Sequence, residues 1–268
     1  QLAYKGNDMK QKLLIAALAM LGSVTAHAGA ILIVNNSAAT SETNTTSAVT
    51  NNLQALHLAV GNTVTITSDI PVSLAGYSQV WDVSFDNNAA LTAADQSLYL
   101  GFLQGGGGLF LMGENGGFMT RNNSIFSLIA AAGGGSIGFS GTCSGGQTVH
   151  APFTGPNAVA SVNYAAPGCF DGNGTGEWIT SMAGDLTGAG IAFGVGDLAN
   201  AAAGALTSIL DVNFMMNTFD LPASQNLTKN LIGFVGDQVD PPNGVPEPAT
   251  LALLGLGLLG LGAARRKA

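Results

Sequence analysis

Two short runs with no polar side chain, residues 30–34 and 109–112, do most to restrict what this 268-residue chain can fold into. Each is too short for a buried helix, and a strand that is apolar at every position must be covered on both faces. Such strands belong in the middle of a sheet with helices packed on either side. The sequence around the runs supplies those helices. Val49, Leu53, Leu56 and Val60 recur at helical spacing and stop at Gly61, and residues 63–67 and 79–85 then read as two further strands. Thr92 and Asp95 frame the capped first turn of a second helix, with Leu98, Phe102 and Leu103 on its apolar face, and the glycines at 105–108 end it. Residues 124–132 read as a third helix. The order strand, helix, strand, strand, helix, strand, helix predicts an α/β protein, a three-layer sandwich around a mostly parallel sheet.

Both ends of the chain read as addresses and not as parts of that sandwich. At the C-terminus, Val245, Pro246, Glu247 and Pro248 precede an uncharged run at 249–264, and Arg265, Arg266 and Lys267 follow it. As a helix the run would rise roughly 24 Å. That is short of the ~30 Å hydrocarbon core, so it spans a membrane only with help from its flanks. The basic triplet acts as a membrane stop, which keeps it cytoplasmic and the preceding body outside. This tripartite tail resembles the sorting signal of bacterial exosortase substrates, the PEP-CTERM proteins, over residues 245–268. The resemblance implies an exosortase and the membrane as partners. It also implies export in a Gram-negative cell, ending at the cell surface or in the medium, and commonly association with an exopolysaccharide matrix.

The N-terminal segment agrees. Met9, Lys10 and Lys12 lead into an apolar stretch at 13–21, and Ala26 and Ala28 flank His27 in an A-x-A cleavage site. Together they read as a secretory signal peptide over residues 9–28, with a mature start at Gly29. Residues 1–8 are expected to be a non-native extension. The body is then one α/β domain at 29–240, followed by a linker and the sorting signal at 241–268.

Between the two signals Arg121 and Lys229 are the only basic residues, against fourteen acidic ones. So few cations exclude a nucleic-acid partner, whose phosphates would be repelled. Charged residues make up 9% of the chain, against roughly 25% in an ordinary domain. Asn, Ser, Thr, Gln and Gly must therefore form most of the polar surface, a composition that suits neutral sugars and equally a plain exported surface. Residues 140–176 are rich in Gly, Pro, Ser and Thr and hold the only two cysteines. We expect an irregular excursion pinned by a Cys143–Cys169 disulfide, as exported chains favour. Beyond it lie strands near 191–195 and 208–214, and a last helix at 224–235.

Residues 109–129 run from strand through a tight glycine turn into a helix, the turn being Gly113, Glu114, Asn115, Gly116 and Gly117. This arrangement resembles the nucleophile region of class I glutamine amidotransferase-like domains, and the resemblance extends over residues 30–139. It implies a flavodoxin-like, amidotransferase-like fold. Where that family has its cysteine this chain has Asn115, and an amide is not a usable nucleophile, so the resemblance argues against the activity. Glu114, Asn115 and Arg121 stand where such sheets bind ligands, as a possible cleft; a salt bridge at the rim is the plainer reading of Glu114 and Arg121.

Other motif matches fail on context. The glycine pattern at 133–138 follows a helix and enters a strand, the reverse of a phosphate-binding turn. Its overlapping match to a hydrolase elbow at Ser136 has only His150 downstream and no acid between them. Cys143 lies in a nucleophile-like turn with no helix behind it. Asp171, Asn173 and Thr175 resemble the start of a calcium loop, but the twelfth position is Met182 and not a carboxylate. A simple turn is therefore expected, with no metal and no cofactor. His57 is placed on a helix surface, and Trp81 and Trp178 in the core. The functional expectation is a non-enzymatic exported envelope protein. A hydrolase of glycans or amides using Glu114 with Asp82 or Asp86, and a carbohydrate-binding module, stand as alternatives.

Overall fold

After its first residue every position of β1 (Ala30–Val34) is buried. Ile31 and Ile33 enter one apolar cluster while Leu32 and Val34 enter another, so the strand is sealed on both faces by the alternation of its side chains. The computed structural model describes residues 29–37, 42 and 44–239. In chain order β1 is followed by α1 (Ala48–Ala59), β2 (Thr63–Thr67), β3 (Gln79–Asp82), α2 (Ala93–Gln104), β4 (Gly108–Met112) and α3 (Met119–Ala132). Then come β5 (Phe139–Thr142), β6 (Gly145–Val149), β7 (Ser161–Tyr164), β8 (Gly168–Phe170), β9 (Glu177–Ser181), β10 (Gly190–Phe193) and β11 (Ala205–Ile209), and α4 (Ala223–Gln238) closes the body.

The main sheet has nine strands in the order β2-β1-β3-β4-β11-β10-β9-β6-β7. Its first five strands pair in parallel, and β10, β9, β6 and β7 extend it through antiparallel pairings. Only β10 and β6 run against the common direction, so the sheet is mostly parallel by strand direction. Val49 and Leu53 of α1 and Leu227, Leu231 and Val235 of α4 pack with Trp81 and Phe110 on one face. Tyr99 and Leu103 of α2 and Ile125, Leu128 and Ile129 of α3 pack with Leu109 and Leu111 on the other. Helices thus cover both faces, as a sheet with an apolar parallel centre requires.

Local signals account for the helix ends. Ser47 caps α1 by accepting from the Thr50 N–H, and Thr92 and Asp95 form a complete capping box at the start of α2. The turn after α3 needs Gly133, whose φ is +90° and whose missing Cβ would lie 2.7 Å from the Asn200 nitrogen.

Several expectations change. Residues 140–176 are not irregular: they carry four short strands, of which β6 and β7 enlarge the main sheet and β5 and β8 form a ladder of their own. These strands are glycine-rich or half-exposed, so neither a continuous apolar run nor strong alternation announced them. Helix α3 begins at Met119, ahead of the apolar residues that marked it. The stretch expected as a strand at 208–214 is β11 followed by a 3-10 turn at Asn213–Met215. The buried face of α2 is Tyr99 and Leu103, while Leu98 and Phe102 are half-buried. His57 is buried against Trp81, their ring centroids 5.0 Å apart, and its pKa is lowered to about 3 by desolvation. It is a neutral core residue and not a surface one. The segments expected as a signal peptide, 9–28, and as the sorting signal, 241–268, fall outside the described residues. Among the described residues no helix is long and apolar enough to cross a membrane.

Cys143 and Cys169 are bonded, with a Cα separation of 5.7 Å across 26 residues of sequence. The bond ties β8 to the segment joining β5 and β6. Closing a loop of this length constrains the unfolded chain by about 3 to 4 kcal/mol in the chain-entropy account. Replacing both cysteines by alanine should lower the unfolding free energy in urea by that order, and peptide mapping without reductant should recover the linked pair. Free thiols in the folded protein, or an unchanged midpoint, would refute the assignment.

Candidate functional site

The carboxyl ends of β3, β4 and β11 lie side by side, so the polar residues that leave these strands meet at one edge of the sheet. Strand β4 runs into Gly113, where a Cβ would come within 2.4 Å of Leu210 and 2.6 Å of the Asn122 Oδ1. A larger residue there would have to displace both side chains. Glu114 is then clamped by Asn122 of α3: its N–H donates to Asn122 Oδ1 at 3.0 Å, and its carbonyl accepts from Asn122 Nδ2 at 2.7 Å.

The Glu114 side chain turns inward and is 4% exposed. Its Oε1 accepts from the Asn115 backbone N–H at 3.0 Å and from Asn115 Nδ2 at 3.1 Å. Its Oε2 accepts from the Val212 N–H at 2.9 Å, just beyond β11. Most of the carboxylate's roughly four lone-pair sites are thus occupied, and they hold the β4 turn to the β11 turn. Burial pushes its pKa up to about 7, against the opposing pull of the Val212 and Asn115 N–H groups and with a further push from Asp211. Asn115 accepts from the Gly117 N–H at 2.9 Å and so caps the short turn Gly116–Phe118. It works as a structural amide.

Asp211 is buried beside this turn and plays a parallel role. It accepts from the Ala165 N–H at 2.9 Å and the Asn213 N–H at 2.6 Å. Burial raises its pKa to about 6, with those backbone groups resisting the rise.

Arg121 pairs elsewhere. It is fully buried, and its Nη2 lies 3.1 Å from Asp82 Oδ1, off the hydrogen-bonding direction. Its Nε donates to the Met112 carbonyl at 3.1 Å and its Nη1 to the Ala89 carbonyl at 2.8 Å. Tyr99 donates to the other Asp82 oxygen at 3.1 Å, and burial, with the charge of Asp82, raises the Tyr99 pKa well above its usual value. The rim pair expected between Glu114 and Arg121 is replaced by a buried Tyr99–Asp82–Arg121 network beneath the same edge.

The remaining candidates are dispersed. Asp171 accepts from the Gly138 N–H at 2.7 Å, Asn173 donates to the Gly176 carbonyl and Thr175 to the Asp197 carbonyl. These bonds brace turns in three directions, and among the described residues no group of three His, Cys, Asp or Glu side chains is placed to hold a metal ion. Cys143 is in the disulfide and offers no thiolate.

One constellation had no local sequence signal. His150, at the end of β6, Ser181, at the end of β9, and Asp185 meet, with the Ser181 Oγ 2.7 Å from His150 Nε2 and 2.5 Å from Asp185 Oδ1. A working triad needs the acid on the other imidazole nitrogen and a reachable hydroxyl. Here Asp185 takes the serine proton itself, 3.5 Å from the same Nε2, and Ser181 is fully buried. The three residues fasten the β6 and β9 ends together.

Residues 244–267 match the family described as the PEP-CTERM protein-sorting motif. That motif implies an exported protein, processed by an exosortase and sorted toward the cell envelope of a Gram-negative bacterium. Among solved structures, the N-terminal domain of mmIFT52 aligns at TM-score 0.58 with 14% identity, over 76% of this chain and 96% of that one. This likeness concerns the fold alone. A ThuA-like protein from Bacteroides uniformis aligns at 0.48 with 15% identity over 80% of this chain and 93% of that one. An exo-β-1,4-mannosidase from an Opitutaceae bacterium aligns at 0.48 with 9% identity, over 84% of this chain and 38% of that one. No curated protein sequence matches the chain.

Two outcomes test this description. Glu114 and Asp211 have folded pKa values, about 7 and about 6, above their ordinary values of 4.5 and 3.8. The folded state therefore keeps protons that the unfolded chain releases, and stability falls as the pH rises from about 4 and levels off above about 7. Glu114→Gln should flatten the upper part of that fall in thermal unfolding from pH 4 to 8, at a fixed cost of about 1 to 3 kcal/mol for a misplaced amide. An unaltered profile would refute the assignment. Arg121→Ala, which strands Asp82, should cost about 3 to 5 kcal/mol in urea unfolding; a loss under about 1 kcal/mol would place Asp82 in contact with solvent.

Proposed function

We propose that the chain is an exported envelope or matrix protein, sorted by an exosortase at Pro246, Glu247 and Pro248, whose α/β body works without turnover. The sorting half of this reading is supported by the match at residues 244–267. The signal-like segment at 9–28 accords with export, the uncharged run at 249–264 with a membrane anchor before processing, and the scarcity of charge with life beside neutral polysaccharide. The body is amidotransferase-like in this reading. Support comes from the strand order β2-β1-β3-β4-β11, which follows the flavodoxin-like pattern 2-1-3-4-5 with a strand from late in the chain in the fifth place.

One observation carries the non-catalytic half. At the turn where an amidotransferase places its nucleophile, Asn115 is spent as a cap and the neighbouring Glu114 carboxylate is filled by N–H donors from two turns. A general acid or base needs a free site within hydrogen-bond reach of its substrate, and three donors on a carboxylate that is 4% exposed leave little of one.

The test is expression in an exosortase-bearing host. The chain should mature to an N-terminus at Gly29 and lose its tail, and a variant with Pro246, Glu247 and Pro248 all changed to alanine should keep the tail and stay in the membrane fraction. Equal processing of the two chains would sink the sorting half. Glycan or amide turnover by the purified protein that Glu114→Gln abolishes would replace the non-catalytic half with a hydrolase.

A further inference from the structure

In an open α/β sheet the natural ligand crevice lies at the carboxyl ends of the strands where successive connections leave on opposite faces. Here that point is between β1 and β3: β1 leads into α1 on one face and β3 into α2 on the other. A cavity of about 270 Å³ opens there, between the β1 and β3 ends, the turn after β2 and the start of α2. It is just under the ~300 Å³ at which small-ligand pockets begin, room for one ring and not a chain.

Its lining is mostly polar, with Val34, Ile70, Ala89 and Ala90 supplying the smaller apolar part. Its rim is polar, with Asn36, Asp69, Asn88 and Asp95 among the lining residues. Asp82 forms part of the wall and is fixed by Tyr99 and by Arg121, whose guanidinium also holds the carbonyl of Ala89. The wall is thus built on fully buried groups and needs little rearrangement to receive a ligand.

The chemistry of the lining selects among ligands. No Lys or Arg lines the cavity, so a phosphate or carboxylate would lack a counter-charge and be repelled by Asp69 and Asp95. The carboxylates do not converge as a metal-holding group, so a bare divalent cation lacks its oxygen shell. An ammonium ion would use the carboxylates alone, whereas a neutral molecule with hydroxyls around its edge uses the carboxylates and the Asn36 and Asn88 amides together. Hydroxyls donate to the carboxylates and both donate to and accept from the amides of Asn36 and Asn88.

We infer that the cavity between the carboxyl ends of β1 and β3 is a binding site for a neutral sugar residue, with Asp69 and Asn88 receiving its hydroxyls. This deepens the reading of the body as a non-catalytic matrix protein and rests on it.

The test is calorimetric titration of the full chain, held in a detergent without a sugar headgroup, with glucose, mannose and galactose, and with glucose 6-phosphate and calcium chloride as controls. At least one hexose should bind at about millimolar strength, as a ligand with few contacts allows. Asp69→Ala and Asn88→Ala, at exposed positions, should each weaken it about fivefold, the loss of one hydrogen bond, while the thermal midpoint stays within a degree or so of wild type. Absence of heat with all three hexoses would overturn the inference, as would affinity unchanged in both variants or tighter binding of the sugar phosphate or calcium. Those results would leave the exosortase processing of the tail standing, because that is read from cleavage and not from binding.

Discussion

The buried contact between Arg121 and Asp82 holds the carboxyl edge of this sheet in place. Arg121 comes from α3, Asp82 ends β3, and the guanidinium also ties down the carbonyls of Met112 at the end of β4 and Ala89 in the turn before α2. Tyr99 adds α2 to the same knot. One cation thus organises two strands and two helices at the level where the loops begin. Removing either charge leaves the other buried without a counter-charge, a far larger penalty than the pair's own net gain. In a body with only two basic residues, placing one of them at full burial marks this position as architectural.

The other inward-facing carboxylates follow the same economy. Glu114 and Asp211 satisfy backbone N–H groups left over where strands give way to turns, a need that any buried loop must meet. They are neutralised in part by proton uptake because burial outweighs the N–H donors. In this use the carboxylates act as fasteners between turns. The cavity between β1 and β3 differs, since Asp69 and Asn88 at its rim face solvent.

The sheet changes character at β11. On one side lie the fully buried parallel strands, and on the other the chain adds short antiparallel strands held by the Cys143–Cys169 bond and by the contacts of Ser181 with His150 and Asp185. Parallel strands need covering helices, whereas antiparallel strands tolerate one wet face. The extension can therefore be glycine-rich and polar without losing its pairing. This is why the stretch at 140–176 looked like a loop in the sequence and is a set of strands in the structure.

Much of the fold was legible before any coordinates, for a definite reason. The runs at 30–34 and 109–112, the helical spacing from Val49 to Val60 and the Thr92–Asp95 cap are local patterns, and local patterns act within a few residues of the chain. The C-terminal sorting signal and the two cysteines of the bond were legible on the same terms. The tertiary structure alone decided that Arg121 meets Asp82 and not Glu114, that Glu114 reaches Val212, that His57 is in the core, and that Ser181 sits between His150 and Asp185. His150 and Ser181 lie 31 residues apart, and Glu114 and Val212 lie 98 apart. No periodicity carries across such separations; only the return of the chain to a shared sheet edge brings the groups within reach.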